Sequence, residues 1–316
     1  MLDRQRPDWY RNRHTSKSYG FSLPVHVQAP GGLATVKLQG RAELVTSSSL
    51  GDHIRQTYGA SLSYRVQWSE QLSFTSSTFS HYYDQWGWQV WPGLSAAYRL
   101  TPHARIFASW GRAFRMPSFT ELYYASPGNI GNPDLDASAS STLELGTRMY
   151  AENRMLQVSL FRRTGANIID WVRAQPQDPW MVINHSKTRF TGLEWEARLN
   201  EPVLSLTVLS LRGIHLYANK TLFGFESKYA LRYLRHHIRL YTDVAFRRNM
   251  HAGMAVHWKQ PDYDNGYMLM NLQLYRTLGS WRLALSAENV TDTHYRDLPG
   301  VPTPGRWMRF NVSKYW

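Results

Sequence analysis

"WMRFNVSKYW", the stretch from Trp307 to Trp316, alternates so regularly that it guides the interpretation of the whole chain. One side of an extended backbone would carry Met308, Phe310, Val312, Lys314 and Trp316. The other side would carry Trp307, Arg309, Asn311, Ser313 and Tyr315. Because successive side chains of a β-strand point to opposite faces, the pattern predicts a strand with one mostly apolar and one polar face. A frayed tail has no reason to alternate, so we expect the strand to continue to the last residue.

The composition limits the classes of protein that the chain can belong to. It has 316 residues, no cysteine and a formal net charge of +13. The lack of cysteine excludes disulfides, thiolate metal sites and cysteine catalysis. No apolar run reaches the ~18 residues of a transmembrane helix, and the basic N-terminal segment lacks the apolar stretch of a signal peptide. One hypothesis is therefore a soluble basic β-protein that binds polysaccharide or nucleic acid, although no nucleic-acid-binding module is recognisable.

The same period-two alternation recurs along the chain, with little of the longer period of an amphipathic helix. Clear examples lie at residues 143–149, 156–163, 238–244, 268–274 and 281–288. From these segments and the turns between them we count fifteen strands and predict an all-β, antiparallel fold.

The predicted connections separate into two sets by length. Short, turn-like connections lie at residues 29–32, 69–71, 100–103, 151–154, 200–202, 247–249 and 278–280. The connections that alternate with them are mostly longer, at residues 46–53, 82–89, 115–139, 171–188, 220–234, 260–266 and 292–305. Short turns on one rim and long loops on the other are typical of transmembrane β-barrels of the outer membrane. A soluble sandwich also alternates, but it does not sort its loops in this way.

The aromatic content agrees with a membrane barrel. Aromatic residues make up 14% of the chain, and Trp and Tyr favour the two membrane–water interfaces. Four tryptophans that we expect in such girdles are Trp110, Trp258, Trp281 and Trp316.

The strand count has a further consequence. Bacterial single-chain barrels have an even number of strands, and fifteen strands without an export signal are typical of one part of a longer protein. We therefore expect residues 1–316 to form a partial barrel domain, with no plug domain and no signal peptide. The alternative is a self-contained passive outer-membrane channel of about 14–16 strands.

The stretch from Ser109 to Gly146 resembles a signature of TonB-dependent outer-membrane receptors. The matching residues are Gly111, Arg115, Pro117, Glu121, Leu122 and Tyr123, then Gly131, Asn132, Pro133 and Leu135, then Glu144 and Gly146. The sequence departs from the family pattern where Ala137 and Ser138 replace a Pro-Glu pair.

Two later stretches resemble segments of the same family. In the first, Asn184, Gly192 and Glu194 fit the pattern, whereas Ser186 and Thr188 replace small residues. The other is similar to the closing hairpin, with Asn289, Asp292, Tyr295, Pro304, Gly305, Arg306 and the terminal aromatic Trp316. The resemblance covers Val90 to Trp316. The residues before Val90 resemble the family only in the regular spacing of their predicted strands.

The resemblance implies active uptake through a 22-strand barrel of the bacterial outer membrane, a size class whose lumen holds a plug. It implies several partners: the TonB complex through a plug domain absent from this chain, the barrel-assembly machinery through the C-terminal strand, and a metal chelate as ligand. A cobalamin-type corrinoid or a ferric siderophore is the nearest ligand class. The basic residues could pair with lumen carboxylates, attract an anionic chelate, or bind lipopolysaccharide phosphates at the outer rim.

Ligand contacts are expected on the aromatic, long-loop rim, because rigid rings give a large contact area at low entropic cost. The candidates are Tyr83, Trp86, Trp88, Tyr123, Tyr124, Trp171, Arg173, Trp180 and Tyr263. The alternative for each is packing of one loop on another, which the sequence favours slightly. No catalytic motif or histidine-based metal spacing is present, so we expect no enzyme activity, no cofactor and no metal site.

Overall fold

The computed structural model describes residues 12–185, 187–200, 206–220, 224–229, 232–247, 249–297 and 303–315. The first strands are β1 (His14–Ala29), β2 (Gly32–Ser47), β3 (Gly51–Gln67), β4 (Leu72–Tyr83), β5 (Gly87–Thr101) and β6 (Ala104–Arg115). A short helix, α1 (Phe119–Tyr123), precedes β7 (Ala125–Ser126), β8 (Asn129–Ile130), β9 (Ser138–Ala151), β10 (Arg154–Ala166), β11 (Ile168–Arg173), β12 (Trp180–His185) and β13 (Thr188–Leu199). The remaining strands are β14 (Leu206–Lys220), β15 (Glu226–Ser227), β16 (Leu234–Arg247), β17 (Met250–Pro261), β18 (Tyr267–Leu278), β19 (Trp281–Glu288) and β20 (Trp307–Lys314).

One antiparallel sheet of 15 strands dominates the fold, in the order β1-β2-β3-β4-β5-β6-β9-β10-β13-β14-β16-β17-β18-β19-β20. The predicted all-β class and strand number are therefore confirmed. Each strand pairs with its neighbours along this order, and β1 and β20 are its two ends. Within the described residues no ladder joins β1 to β20, so each presents an unpaired edge.

The alternation predicted from the sequence assigns the two faces of this sheet. We call the face with exposed apolar side chains the lipid face, and the polar face the lumen face. On β20 the lipid face carries Met308, Phe310 and Val312, whose exposed fractions are 69%, 65% and 52%. The register places Phe310 opposite Leu285 and extends the apolar stripe to β19. The predicted closing strand is confirmed for Trp307–Lys314, the orientation of its apolar side toward lipid stays a prediction, and Trp316 lies outside the described residues.

Arginines and carboxylates form ion pairs on the lumen face of the sheet. Arg212 of β14 lies 2.7 Å from the carboxylate of Glu196 on β13. Arg41 contacts Glu43 on the same strand at 2.8 Å. These side chains all have lumen-face parity in the strand register.

Two predicted loop lengths are wrong. Residues 46–53 and 82–89 were expected to be long connections, but only residues 48–50 and 84–86 lie outside strands. The strands continue into the predicted loops, because their backbone groups find ladder partners as far as the Ser47–Gly51 and Tyr83–Gly87 pairs. Most of the other connections on this rim are long, as at residues 116–137 and 289–306, although the one at residues 262–266 has only five residues. We call it the long-loop rim.

Aromatic rings lie over glycines of neighbouring strands at several places. The directly opposed pairs are Phe21–Gly40, His81–Gly59, Phe107–Gly146, Phe161–Gly192 and Trp195–Gly213. A Cβ atom on Gly146 would lie 2.4 Å from Cζ of Phe107, and one on Gly192 would lie 2.4 Å from Cζ of Phe161. Such aromatic cover compensates for the packing that glycine lacks in a strand. Gly146 and Gly192, both recognised in the sequence motifs, therefore have a packing role.

The connection before β20 is organised by Asn289 and Asp292, both in the left-handed region with φ of 49° and 53°. Asn289 is buried, and its amide donates to the carbonyl of Thr293 at 3.0 Å. The carboxylate of Asp292 accepts the backbone N–H of Arg306 at 2.7 Å. A Cβ on Gly305 would lie 2.7 Å from Oδ1 of Asp292, so only glycine allows this approach.

Candidate ligand site

Three connections of the long-loop rim fold together into a second sheet. Its five strands run in the order β15-β11-β12-β8-β7 and come from the segments after β6, after β10 and after β14. We call this sheet, together with α1 and the turn at residues 84–86, the cap. The cap was not predicted, because its strands are short and pair across segments far apart in sequence.

The cap has its own apolar core. Leu122, Leu135, Ile169, Trp171 and Val182 are buried together, and Trp86, Tyr123, Tyr124 and Trp180 pack against them. Trp86 also donates its indole N–H to the carbonyl of Leu135 at 2.8 Å. The structure therefore places five of the predicted ligand residues in loop-on-loop packing, the alternative that the sequence favoured. Contact of their remaining exposed surface with a ligand stays a prediction.

A buried carboxylate connects the strands of the cap. Asp170 of β11 is 2% exposed. It accepts the backbone N–H groups of Trp171 at 2.8 Å and Tyr229 at 3.2 Å, and the hydroxyl of Ser227. A buried charge requires such partners. Asp170 therefore holds the 226–229 segment against β11.

Arg115 and Glu121, predicted from the family signature, form the link between the barrel wall and the cap. Both guanidinium NH groups of Arg115 contact the Glu121 carboxylate, at 2.8 and 3.0 Å. Arg115 also donates to the carbonyl of Ile169 at 3.3 Å. Glu121 in addition accepts the backbone N–H of Ser118 at 2.8 Å, and Ser118 caps α1 in return. This is a capping box whose acidic residue is also bidentate to an arginine.

The electrostatic environment keeps Glu121 ionised. Burial alone would raise the pKa of its carboxyl, but hydrogen bonds from Arg115 and Ser118 outweigh burial, so the pKa lies below its ordinary value. The carboxylate and its link to Arg115 are therefore retained well into the acidic range.

The other residues of this signature also fix the cap. Asn132 accepts the backbone N–H of Asp134 through its side chain at 2.9 Å and donates its own N–H to the carbonyl of Glu121 at 2.9 Å. The carbonyl of Pro133 accepts from the Gln85 side chain at 3.2 Å. Pro117 is buried, and its carbonyl accepts from Arg55 at 2.7 Å.

Arg55 is a central residue that the sequence analysis did not identify. It extends from the lumen face of β3, and its guanidinium carbon lies 5.0 Å from the ring centroid of Trp86 and 4.7 Å from that of Phe119. The side chain is only 9% exposed, and its nearest carboxylate is Glu43 at 4.0 Å. The alternation of β3 indicates that Arg55 faces the lumen, but no sequence motif distinguishes it from the other arginines.

Two cavities share Phe114 as a lining residue, and the first of them lies between the barrel wall and the cap. One, of about 580 Å³, reaches from Arg115 and Ser140 on the wall to Trp171 and Tyr229 of the cap. The other, of about 630 Å³, extends along β2 and β3 and is lined by Arg41, Glu43, Arg55, His81 and Tyr83 among others. Their size is that of small-molecule sites, and aromatic walls with a few convergent charges are typical of such sites. We call the two together the sub-cap cavity.

Among the predicted ligand residues, Tyr83 is a wall residue of the sub-cap cavity. Its ring centroid lies 5.7 Å from that of Phe114, in an edge-on arrangement. Arg173 and Trp180 lie on the cap, with the guanidinium 4.4 Å from the indole centroid. The same guanidinium forms an ion pair of 2.7 Å with Glu226.

Two predicted ligand residues lie elsewhere. Trp88 is 65% exposed and shares lipid-face parity on β5 with Val90 and Leu94, so we leave it out of the site. Tyr263 donates its hydroxyl to the carbonyl of Asp297 at 2.7 Å, in the loop between β17 and β18. Burial, more than its charged neighbours, raises the pKa of Tyr263, and its phenol stays a hydrogen-bond donor.

Comparison with known proteins identifies the fold. The sequence profile described as "TonB dependent receptor-like, beta-barrel" matches residues 2–290 of the chain. This chain belongs to the TonB-dependent receptor β-barrel family. Proteins of this family lie in the bacterial outer membrane, and the relatives below are transporters and receptors rather than enzymes.

The similarity to individual members of the TonB-dependent receptor family is partial. The vitamin B12 transporter BtuB of Vibrio vulnificus (strain YJ016) is 30% identical over 102 residues, or 32% of this chain and 16% of that relative. The siderophore receptor PirA from Pseudomonas aeruginosa has a TM-score of 0.72 at 16% identity, covering 95% of this chain and 55% of that one. The hemophore receptor HasR of Serratia marcescens, in complex with its hemophore HasA and heme, has a TM-score of 0.74 at 17% identity, covering 96% of this chain and 60% of that one. The chain thus spans little more than half the length of these structures, and the structures show the fold alone.

Proposed function

We propose that this barrel serves a TonB-dependent receptor for active uptake of a scarce metal chelate, either a cobalamin-type corrinoid or a ferric siderophore. The observation that carries the proposal is the sub-cap cavity, two neighbouring spaces that share Phe114, one of them reaching the cap and the other lined by Tyr83, Arg41 and Arg55. Aromatic walls suit the flat or catechol-like surfaces of such chelates, and the guanidinium groups suit anionic oxygens. The relatives named for vitamin B12 and siderophores favour this ligand class.

The proposed TonB partner acts through a plug domain that lies outside this chain. Within the described sheet the edges of β1 and β20 are unpaired, and unpaired backbone groups are not tolerated in lipid. The function therefore requires further strands that satisfy these edges. A passive channel made by this sheet alone would require a ladder between β1 and β20, so the described pairing favours the receptor.

The proposal is tested by ligand binding to the receptor in detergent, with cyanocobalamin and a panel of ferric siderophores, measured by quenching of intrinsic tryptophan fluorescence. Arg41→Gln should weaken binding of the cognate ligand by about tenfold or more, as expected for loss of a charged hydrogen bond. Arg41 is suited to this test because its side chain is 61% exposed and not needed for packing. Arg239→Gln, a lumen-face change away from the sub-cap cavity, is the matched control.

Two results would contradict the proposal. Binding of none of these chelates by the wild-type receptor would remove the ligand class. Equal weakening by Arg41→Gln and Arg239→Gln would show that lumen charge in general, and not the sub-cap cavity, determines affinity.

A further inference from the structure

A row of aromatic and histidine side chains crosses the lipid face below the long-loop rim. Trp195 of β13, His215 of β14, His236 of β16 and Trp258 of β17 form this row. The strand register gives them lipid-face parity, because the alternate residues Glu194, Glu196 and Arg212 face the lumen, where Arg212 and Glu196 form an ion pair. We call these four residues the histidine row.

Hydrogen bonds within the row determine which tautomers two neutral imidazoles would adopt there. The indole N–H of Trp195 donates to Nε2 of His215 at 3.2 Å, so a neutral His215 carries its proton on Nδ1. Nδ1 of His215 lies 2.9 Å from Nδ1 of His236. His236 must therefore accept at Nδ1 and carry its own proton on Nε2.

The packing keeps this donor in place at the end of the row. The His236 ring is parallel to Trp258, with an interplanar angle of 9° and a centroid distance of 6.0 Å. A Cβ on Gly213 would lie 2.3 Å from the Trp195 ring, so glycine is what lets the indole lie flat and reach His215. Among the described residues no acceptor for Nε2 of His236 is present.

Positively charged side chains lie on the same face, beside the row at Arg235 and between the row and the long-loop rim at Arg162 and Arg189. Arg162 of β10 and Arg189 of β13 are exposed. Arg162 stands opposite Leu143 and Arg189 stands opposite Thr164, and both partners have lipid-face parity, so the two arginines have it too. Arg235 is exposed too, and a bulge places it with His236 opposite the single residue Gln260 of β17. Bulges re-aim side chains in this way. None of the three arginines forms an ion pair with a carboxylate of the described residues.

We propose that the histidine row and its flanking arginines bind a phosphate group of lipopolysaccharide in the outer leaflet of the membrane. His236 donates through Nε2–H, and Arg235 provides charge-assisted hydrogen bonds. Charge complementarity selects this occupant, since a lipid-facing patch with unpaired cations near the rim requires an anionic headgroup. Further from the rim, Ile238, Leu240 and Val256 continue the lipid face and would contact the acyl chains. The inference is independent of the ligand that enters the sub-cap cavity.

The experiment measures lipid that copurifies with the receptor, by native mass spectrometry after reconstitution with lipopolysaccharide or with phosphatidylglycerol. His236→Phe keeps a ring beside Trp258 and removes the donor, and Arg235→Gln removes the adjacent charge. Each should lower retained lipopolysaccharide by about tenfold. The matched lumen-face controls, His257→Phe and Arg239→Gln, should retain it as the wild type does.

The wild-type protein provides a further measurement that does not depend on the folding of any variant. Lipopolysaccharide with its lipid A phosphates removed should be retained much less than the intact form. Equal retention of both forms would overturn the proposal, as would unchanged retention in the His236 and Arg235 variants or equal loss in the controls. Retention of phosphatidylglycerol as strong as that of lipopolysaccharide would assign the row to phospholipid instead.

Discussion

Substitution of Leu272 by arginine should destabilise the barrel far more than the same substitution at its neighbour Gln273. Leu272 is 41% exposed on the lipid face and lies near the middle of the twelve-residue strand β18. It stands opposite Met254 of β17 and Ala287 of β19, so its surroundings are apolar on both sides. Gln273 has the opposite parity and faces the lumen beside Ser286.

The expected magnitude follows from this position. Arginine on the lipid face near the bilayer midplane costs about 2–4 kcal/mol in outer-membrane barrels, whereas lumen substitutions cost much less. Since about 1.4 kcal/mol is a factor of ten, Leu272→Arg should lower the folding equilibrium constant by about 30- to 1,000-fold. Gln273→Arg should lower it by no more than about two- to threefold, because ordinary polar-surface changes stay within about 0.5 kcal/mol.

The measurement is urea-induced unfolding of the receptor in phospholipid vesicles, followed by tryptophan fluorescence. Both variants add one arginine to the same strand, so effects of net charge cancel in the comparison. Equal free-energy costs at the two positions would refute the assignment of faces. That result would favour a sheet covered on both sides, as in a soluble sandwich.

Two further predictions concern the long-loop rim. The chain has no cysteine, so single cysteines can report topology: Ala174→Cys in the cap should react with a membrane-impermeant maleimide on whole cells, and Asn153→Cys in the β9–β10 turn should not. Labelling of the turn alone would invert the orientation. Glu121→Gln should loosen the cap at neutral pH, because it removes the carboxylate that binds Arg115. The pKa of Glu121 is lower in the folded protein than its ordinary value of about 4.3. The stabilisation of the cap by the ionised carboxylate is therefore complete at a pH above that ordinary value, and it is lost as the pH falls through the folded pKa. Cap tryptophan fluorescence should therefore change in that acidic range in the wild type, and a wild-type signal without this transition would contradict the role of Glu121.

The strands and their faces were largely predictable. Alternation in segments such as Trp307–Lys314 depends only on the period of an extended chain, so each strand and its apolar side could be identified locally. The predicted count of strands agrees with the sheet. The wrong loops at residues 46–53 and 82–89 arose because the ends of these stretches pair in ladders, and local composition does not show where pairing stops.

The signature residues could be recognised, but their roles could not. Glu121 and Arg115 were identified from the family pattern, yet the bidentate contact that links the wall to the cap appears only when β6, α1 and β11 are brought together. Likewise, Gly146 was recognised as a motif residue. The structure shows why glycine is needed there, because the Phe107 ring of the neighbouring strand lies over it.

The sequence by itself determined the strand pattern, the lipid-facing stripes and the membership of the receptor family, because these follow from the order of polar and apolar residues along one chain. Only the tertiary structure decided the cap, the sub-cap cavity and the histidine row. Each of these depends on contacts between residues far apart in sequence, such as Arg55 with Pro117, Asp170 with Ser227, and His215 with His236. The physical reason is that burial and hydrogen bonding are properties of the assembled sheet, whereas alternation is a property of each strand.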